Sequence, residues 1–368
     1  MPLRELATVS MKKWGSIQAL RGVAVLGVVA FHLMSIEKKY SGGDRILPDF
    51  LWLGQSGVDL FFVISGFVMV SVTKGHFARD KEVTRFLWGR LTRIYPTYWF
   101  YFFLTIIVFL LKPTWVNALY GHQAELITSF FLLPNQHPLV MVSWSLSHEL
   151  WFYSVFAVLL KLKEKWLLPA LLVWGGIIAI ANAFVMIADL PPAARLVLHP
   201  YSLEFIIGAL AAIFFSSRYS RGFSPATSFM AIIAAIAFIV GGFHFVYSPA
   251  GLMDASIMRV SIMGALYGFL VLFLAILERE NKVCLPRAMR SIGDISYTIY
   301  LSHVLVLNAI GRIWVTANPL QGSLWDNILV CLIMTAAVVA YGWTGYLFVE
   351  QPLSRASHRL RSRWFARC

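Results

Sequence analysis

Apolar runs of roughly twenty residues, the length of a membrane-spanning helix, alternate with short polar segments along most of this chain. An α-helix rises 1.5 Å per residue, so each run is long enough to cross the hydrocarbon core of a bilayer. The alternation predicts an all-α, polytopic integral membrane protein with about ten transmembrane helices. The predicted spans are residues 17–36, 51–72, 94–112, 143–161, 166–187, 201–216, 227–247, 257–278, 294–316 and 326–349.

One apolar segment is too short to span. It reads ELITSFFLL, covers residues 125–133 and is stopped by Pro134, and a helix rarely continues through a proline. We therefore expect an interfacial or re-entrant segment here.

Composition and charge agree with the membrane class. Hydrophobic residues make up 59% of the chain and charged residues 13%, so a water-soluble fold would expose far too much apolar surface. The formal net charge is +13, but most Lys and Arg residues fall in segments that face the cytoplasm if both termini do. This is the positive-inside bias of multi-span proteins. We therefore expect both termini in the cytoplasm, contact with membrane lipids and no nucleic-acid partner.

No composition shift divides the chain, so we expect a single membrane-embedded domain over residues 1–368. Residues 350–368 would form a short basic cytoplasmic tail, which suits contact with anionic lipids. The cysteines, Cys284, Cys331 and Cys368, offer no outer pair for a disulfide, and we expect them to be dispensable. No residue pattern predicts a metal site.

The first apolar run, SIQALRGVAVLGVVAFHLMSI, contains an arginine and a histidine. Ionisable side chains in a span are costly unless they face other protein or water. Arg21 and His32 lie eleven positions apart, which returns to nearly the same helix face ~16 Å further along the axis. This face predicts a site for an anionic ligand that reaches across the bilayer.

Two carboxylates are expected at the depth of His32. Asp59, in GVDLFFVISGF, and Glu149, in SWSLSHELWFY, both fall in the outer half of their spans. A carboxylate beside an imidazole fixes its tautomer and makes it a general base, so His32, Glu149 and Asp59 are the predicted catalytic residues. The alternative is structural: hydrogen bonds between helices for His32 and Glu149, and helix packing or an ion pair with Arg21 for Asp59.

Arginines mark the cytoplasmic side. In GRLTRIYPTYWF, Arg90 and Arg93 are three residues apart on one helix face, a spacing that suits a phosphate or pyrophosphate. Arg21 would extend this cationic track inward, and Glu350, in FVEQP, would pair with an arginine. The alternative is that Arg90 and Arg93 only anchor their span through the positive-inside rule.

A polar stripe runs along the span at 294–316. Ser296, Tyr300 and His303 recur at helical spacing beside Tyr297, so the stripe either lines a tunnel or forms a polar seam between helices. A tunnel that is cationic at its cytoplasmic end and neutral further along suits coenzyme A. The phosphates would stay at the cytoplasmic end, while the pantetheine arm carries a thioester outward. The residues predicted to bind acetyl-CoA are Arg21, Arg90, Arg93, Ser296, Tyr297, Tyr300 and His303.

Together these motifs resemble the acyltransferase-3 family of integral-membrane acyltransferases. The resemblance covers nearly the whole chain through the order of SIQALRGVAVLGVVAFHL, GVDLFFVISGF, RLTRIYP, SWSLSHELWFY, DISYTIYLSH and FVEQP. It implies an enzyme of the bacterial inner (plasma) membrane. The enzyme would move an acyl group, usually acetyl from cytoplasmic acetyl-CoA, to a hydroxyl of an extracytoplasmic glycan or lipid-linked sugar.

Carried over residue by residue, the resemblance places the family's essential histidine at His32 and its paired arginine at Arg21. Its arginine pair falls at Arg90 and Arg93, and the acidic residue of its fourth span at Glu149. Some members carry a fused soluble hydrolase-like domain that this sequence does not show, so we expect the chain to act alone or with a separate partner. A homo-oligomer is compatible with the sequence.

A precursor of a surface polysaccharide, either exopolysaccharide or lipopolysaccharide, is the expected acceptor, and a small hydrophobic glycoside is the alternative. A second class of protein also fits the buried ionisable residues. A proton-coupled transporter or flippase would use them as a relay, but it would not release free coenzyme A from a thioester.

Overall fold

The computed structural model describes residues 14–41, 45–117, 121–242, 256–317 and 323–365. Within these residues the chain is helical and contains no β-strand. The α-helices are α1 Gly15–Tyr40, α2 Gly57–Thr73, α3 Glu82–Leu111, α4 Leu126–Phe130, α5 Trp144–Leu159, α6 Leu167–Phe184, α7 Pro192–Leu198, α8 Tyr201–Ser216, α9 Pro225–Gly241, α10 Ile257–Arg279, α11 Arg287–Asp294, α12 Ser296–Ala317, α13 Leu324–Gly345 and α14 Gln351–Phe365. A 3₁₀ segment, Asp49–Ser56, leads into α2, and a π-helical turn, Tyr346–Glu350, joins α13 to α14.

Eight helical segments among the described residues are long and apolar enough to cross a membrane, which confirms the polytopic all-α class. They coincide with eight of the ten predicted spans. The remaining predictions, 143–161 and 227–247, correspond to α5 and α9, which have 16 and 17 residues. Helices of that length reach about 24–26 Å, short of a typical hydrocarbon core. Residues 243–247 of the second prediction lie outside the described residues.

The segment predicted to be interfacial or re-entrant turns back into the bundle. Carbonyl oxygens of this segment accept hydrogen bonds from α3: Tyr95 Oη donates to Phe131 O at 2.8 Å, and Trp99 Nε1 donates to Phe130 O at 3.0 Å. Tyr95 lies sixteen residues before Leu111 at the end of α3, so the chain returns ~24 Å along that helix. Of the two predicted alternatives, interfacial and re-entrant, the segment is therefore re-entrant.

The helix α2 packs against α1, α5, α8 and α10 and crosses α8 in backbone contact. A Cβ atom at Gly66 would lie 2.0 Å from the carbonyl oxygen of Phe205, and one at Gly208 would lie 2.0 Å from that of Val63. Glycine at a helix crossing allows this approach because no side chain separates the two backbones. The crossing fixes one face of α2 against α8 and leaves the opposite face to line a cavity.

The helices α1 and α12 run side by side and parallel. Tyr40 Oη donates to Asn308 Oδ1 at 3.2 Å near one end of the pair, and His32 meets His303 closer to its middle. This packing brings two separate polar motifs of the sequence to the same level of the bundle.

Candidate active site

A cavity of about 980 Å³ lies between α1, α2, α3, α5 and α12. Residues of α2 from Val58 to Val72 line it, which corresponds to ~21 Å along the helix axis. Its volume lies in the range of sites that enclose a small molecule or cofactor. The cavity is therefore both long and large enough for an extended ligand.

The structure brings Arg21, Arg90 and Arg93 together in the wall of this cavity, with Lys74 as a further cation. Glu149 is the only carboxylate among the described lining residues. Arg21 and Arg93 are close enough to repel each other electrostatically. A surplus of positive charge in a partly enclosed space favours an anionic ligand.

Aromatic rings hold the side chain of Arg90. Its guanidinium carbon lies 5.5 Å from the ring centre of Phe86 and 5.7 Å from that of Tyr153. An arginine stacked on ring faces in this way is oriented by them.

Glu149 lies with the arginines and makes no hydrogen bond or ion pair with His32, so this placement differs from the sequence prediction. Its carboxylate accepts hydrogen bonds from Ser65 Oγ at 3.2 Å and from Tyr153 Oη. It also interacts electrostatically with Arg21. A carboxylate within a bundle is stabilised beside cations, and Glu149 offsets part of the positive charge of the cavity.

Glu350 also belongs to the arginine end. Its carboxylate accepts a hydrogen bond from Thr298 Oγ1 and attracts Arg93 and Arg21. The expected association of Glu350 with arginine is therefore an electrostatic attraction, and its direct hydrogen-bond partner is Thr298. The π-helical turn that ends at Glu350 places it there. Such turns are rare in proteins overall, but those that occur often lie at functional sites.

Asp59 also lies apart from His32 and does not line the cavity. It forms an ion pair with Arg259, with Nη2···Oδ1 at 3.0 Å and Nη1···Oδ2 at 3.1 Å, and both side chains are buried. Arg259 Nη2 also donates to Tyr201 Oη at 3.2 Å. Of the alternatives for Asp59, the structure shows a packing ion pair, whose partner is Arg259 instead of the arginine of α1.

Sequence reasoning missed Arg259 and Glu204, which meet Asp59 in this cluster. Glu204 is fully buried and interacts directly with Asp59. The signal was available, because both residues are ionisable and lie within predicted spans. Arg259 stands near the start of its span, where an arginine is more often an anchor at the membrane surface.

His32 lies beside a second histidine instead of a carboxylate. Its Nδ1 is 3.2 Å from His303 Nε2, and the ring centres are 4.8 Å apart. The same Nδ1 is 2.9 Å from the carbonyl oxygen of Val28. His303 is fully buried and does not line the cavity, so its placement differs from the predicted role in binding acetyl-CoA.

The other three residues of the predicted stripe, Ser296, Tyr297 and Tyr300, do line the cavity. Tyr300 Oη and Ser145 Oγ are 2.7 Å apart and hydrogen-bonded to each other. The ring of Tyr300 lies 6.0 Å from that of His303, between centres. Tyr300 therefore faces both the cavity and His303, and we call its hydrogen-bonded pair with Ser145 the Tyr300–Ser145 wall.

Neither cysteine of the described chain lines the cavity: Cys284 is exposed and Cys331 is buried in α13. Cys368 lies outside the described residues. In the part of the chain that the structure describes, no group of three or more His, Cys, Asp or Glu residues is placed to hold a metal ion.

Comparison with known proteins identifies the family of this chain. The acyltransferase-3 family model, described as an acyltransferase domain, matches residues 14–346. The chain is 26% identical over 325 residues to the exopolysaccharide production protein ExoZ of Rhizobium meliloti, covering 84% of this chain and 92% of ExoZ. It is 26% identical over 395 residues to the acyltransferase MdmB of Streptomyces mycarofaciens, covering 94% and 93% of the two chains.

A more distant relative is longer. The peptidoglycan O-acetyltransferase OatA of Listeria monocytogenes is 22% identical over 384 residues, which cover 94% of this chain but 56% of OatA. No solved structure gives a significant match. Because the family model covers most of the chain, from the start of α1 to the end of α13, this protein belongs to the acyltransferase-3 family of membrane acyltransferases.

Proposed function

We propose that this protein transfers an acyl group, acetyl in the simplest case, from cytoplasmic acetyl-CoA to a hydroxyl of an extracytoplasmic or lipid-linked glycan, in the bacterial inner membrane. The family gives the class of reaction. The observation that carries the donor is the shape and charge of the cavity, which is cationic at one end and ends at a hydroxyl wall beside paired histidines.

The cationic end supports a phosphate-rich donor. Arg21, Arg90 and Arg93 offer guanidinium forks, which match phosphate oxygens in geometry and charge, and Lys74 adds a further cation. The remaining wall is apolar with a few hydroxyl groups, and it suits the slender pantetheine arm. Acetyl-CoA would therefore bind with its phosphates at the arginines and its thioester towards Tyr300.

The chemistry is assigned to His32. Its Nε2 takes the proton of the acceptor hydroxyl while the oxygen attacks the thioester carbonyl carbon. The C–S bond then breaks, and the coenzyme A thiolate takes the proton back from Nε2, so His32 ends as it began. Transfer through an acyl-imidazole at the same nitrogen is the two-step form of this reaction.

Two of the similar proteins support a glycan as the acceptor. ExoZ is named for exopolysaccharide production and OatA for O-acetylation of peptidoglycan. A hydroxyl of a surface polysaccharide precursor is therefore the acceptor that we propose. It would approach His32 from the side opposite the cavity.

The test uses purified protein in liposomes, acetyl-CoA labelled in its acetyl group, and a lipid-linked glycan extract. Wild type is compared with His32→Ala and with His358→Ala, a control at an exposed histidine of α14. We expect label in the glycan fraction and an equal amount of free coenzyme A for wild type and His358→Ala. His32→Ala should transfer no label while it still binds acetyl-CoA.

Two results would overturn this function. Folded wild type that consumes no thioester in the presence of the extract is not an acyltransferase of this kind, and a transporter would behave in this way. Normal turnover by His32→Ala would remove the assigned base.

A further inference from the structure

The hydrogen positions on the two histidines follow from their carbonyl partners. His32 Nδ1 lies 2.9 Å from Val28 O, and His303 Nδ1 lies 3.1 Å from Ile299 O. A carbonyl oxygen only accepts hydrogen bonds, so each Nδ1 must carry a hydrogen. Each ring, when neutral, then has an unprotonated Nε2.

The hydrogen bond between the two rings therefore has one direction, with His32 as the donor and His303 as the acceptor. His303 Nε2 holds a lone pair and points at His32 Nδ1 at 3.2 Å, so the N–H of His32 is shared between His303 and the Val28 carbonyl. No described residue forms a hydrogen bond with Nε2 of His32. That nitrogen is therefore free to accept a proton.

We propose that His303 is a positioning residue for His32, a role that rests on the proposed acyl transfer. Together with the Val28 carbonyl, it holds His32 in the tautomer with a free Nε2. When His32 takes the acceptor's proton and becomes an imidazolium, its Nδ1–H donates a charge-assisted hydrogen bond to the neutral His303. His303 thus acts where a carboxylate acts in the serine-protease triad.

The surroundings of His303 support this role. It is fully buried, and its described ring contacts are His32 and Tyr300. Neither Glu149 nor Asp59 contacts His32, since each is engaged elsewhere. Within the described chain, His303 is the side chain placed to accept the hydrogen of His32 Nδ1.

The test compares His303→Gln with His303→Leu. A glutamine oxygen can take the place of Nε2 and still accept from His32, whereas leucine fills the space without an acceptor. We expect His303→Leu to lower kcat by roughly 100-fold or more, the scale of general base catalysis. His303→Gln should keep a clearly larger share of kcat, and both variants should keep the wild-type KM for acetyl-CoA.

A packing role predicts a different outcome. If both variants lose kcat equally, or if kcat falls only together with acetyl-CoA binding and thermal stability, His303 does not position the base. Wild-type kcat in His303→Leu would also overturn the inference. The proposed function is judged separately, because it fails only if wild type does not transfer or His32→Ala does.

A spectroscopic measurement tests the tautomer in wild type, without dependence on the folding of the His303 variants. Nitrogen-15 NMR of protein labelled at histidine distinguishes protonated from unprotonated ring nitrogens. The signals that disappear in His32→Ala should report a protonated Nδ1 and an unprotonated Nε2. A protonated Nε2 in neutral His32 would contradict the proposal.

Discussion

In the proposed reaction, individual side chains divide the work of this site between charge and proton transfer. The guanidinium groups of Arg21, Arg90 and Arg93 line one end of the cavity, and the imidazoles of His32 and His303 lie beyond its other end. A cation that holds a phosphate acts equally before and during the chemical step, so it affects binding more than turnover.

The arginine pair should therefore act on KM. We expect the double variant Arg90→Ala, Arg93→Ala to raise the KM for acetyl-CoA about 100-fold or more, because two charge-assisted hydrogen bonds are lost. The change in kcat should be smaller. Arg355→Ala on α14, where the arginine is exposed, is the control. An unchanged KM in steady-state kinetics would show that the pair only anchors α3.

Which residues meet at the site was only partly predictable. Helical spacing was sufficient for the placement of Tyr300 in the cavity wall, but Arg21 and His32 do not both face the cavity, because Arg21 lines it and His32 does not. Depth in the membrane placed Asp59 and Glu149 level with His32, but depth does not give the direction in which a side chain points. The partner of His32 came from α12, far away in the sequence, and only the packing of α1 along α12 reveals it.

Among the helices, α2, α8 and α10 form a unit held by charge as well as by packing. The backbone contact of α2 with α8 brings Asp59, Glu204 and Arg259 together in a fully buried cluster. Two carboxyl groups share one guanidinium there. The cluster lies outside the cavity, and its role in this fold is to join the three helices.

This arrangement predicts unequal effects of its two ion-pair residues. In Asp59→Asn, Glu204 remains in the cluster and can supply the charge that Arg259 needs. In Arg259→Met, two buried carboxyl groups lose their cation, and removing one partner of a buried pair costs about 3–5 kcal/mol. We expect thermal unfolding in detergent to show a larger loss for Arg259→Met than for Asp59→Asn.

The control for this comparison is Arg355→Met, in which an exposed arginine is replaced. Equal destabilisation by Arg259→Met and Asp59→Asn would show that Glu204 does not substitute for Asp59.

Element boundaries followed from hydropathy more closely than side-chain partners did. Eight predicted spans are helices of sufficient length. The other two correspond to α5 and α9, whose 16 and 17 residues fall below that length. Proline correctly marked the end of the re-entrant segment, but its hydrogen bonds to α3 depend on tertiary packing.

The protein as a whole presents a cavity whose charge is far from balanced. Among the described residues, four cationic side chains and one carboxylate line it, so the cavity should attract acetyl-CoA over a distance as well as on contact. Dissolved salt weakens such attraction, with a screening length of about 10 Å at about 0.1 M.

The KM for acetyl-CoA should therefore rise with salt. We expect the KM to increase between about 50 and about 500 mM potassium chloride, a range over which screening becomes severe, while kcat changes little. The double variant Arg90→Ala, Arg93→Ala should show a shallower dependence. Equal salt dependence in wild type and in this variant would mean that the arginines do not supply the attraction.

The Tyr300–Ser145 wall has a consequence for the cell that contains this protein. Under the proposed function, a donor site open to one side and an acceptor that arrives from the other would amount to a pore with a single partition. If that partition were absent, ions would leak, and each charge that crosses dissipates about 2.3 kcal/mol per 100 mV of membrane potential. An acyl group is small and neutral, so it can cross such a partition while the charged remainder of its carrier stays behind. An enzyme with the proposed function can thus modify molecules on the far side of a membrane without discharging it.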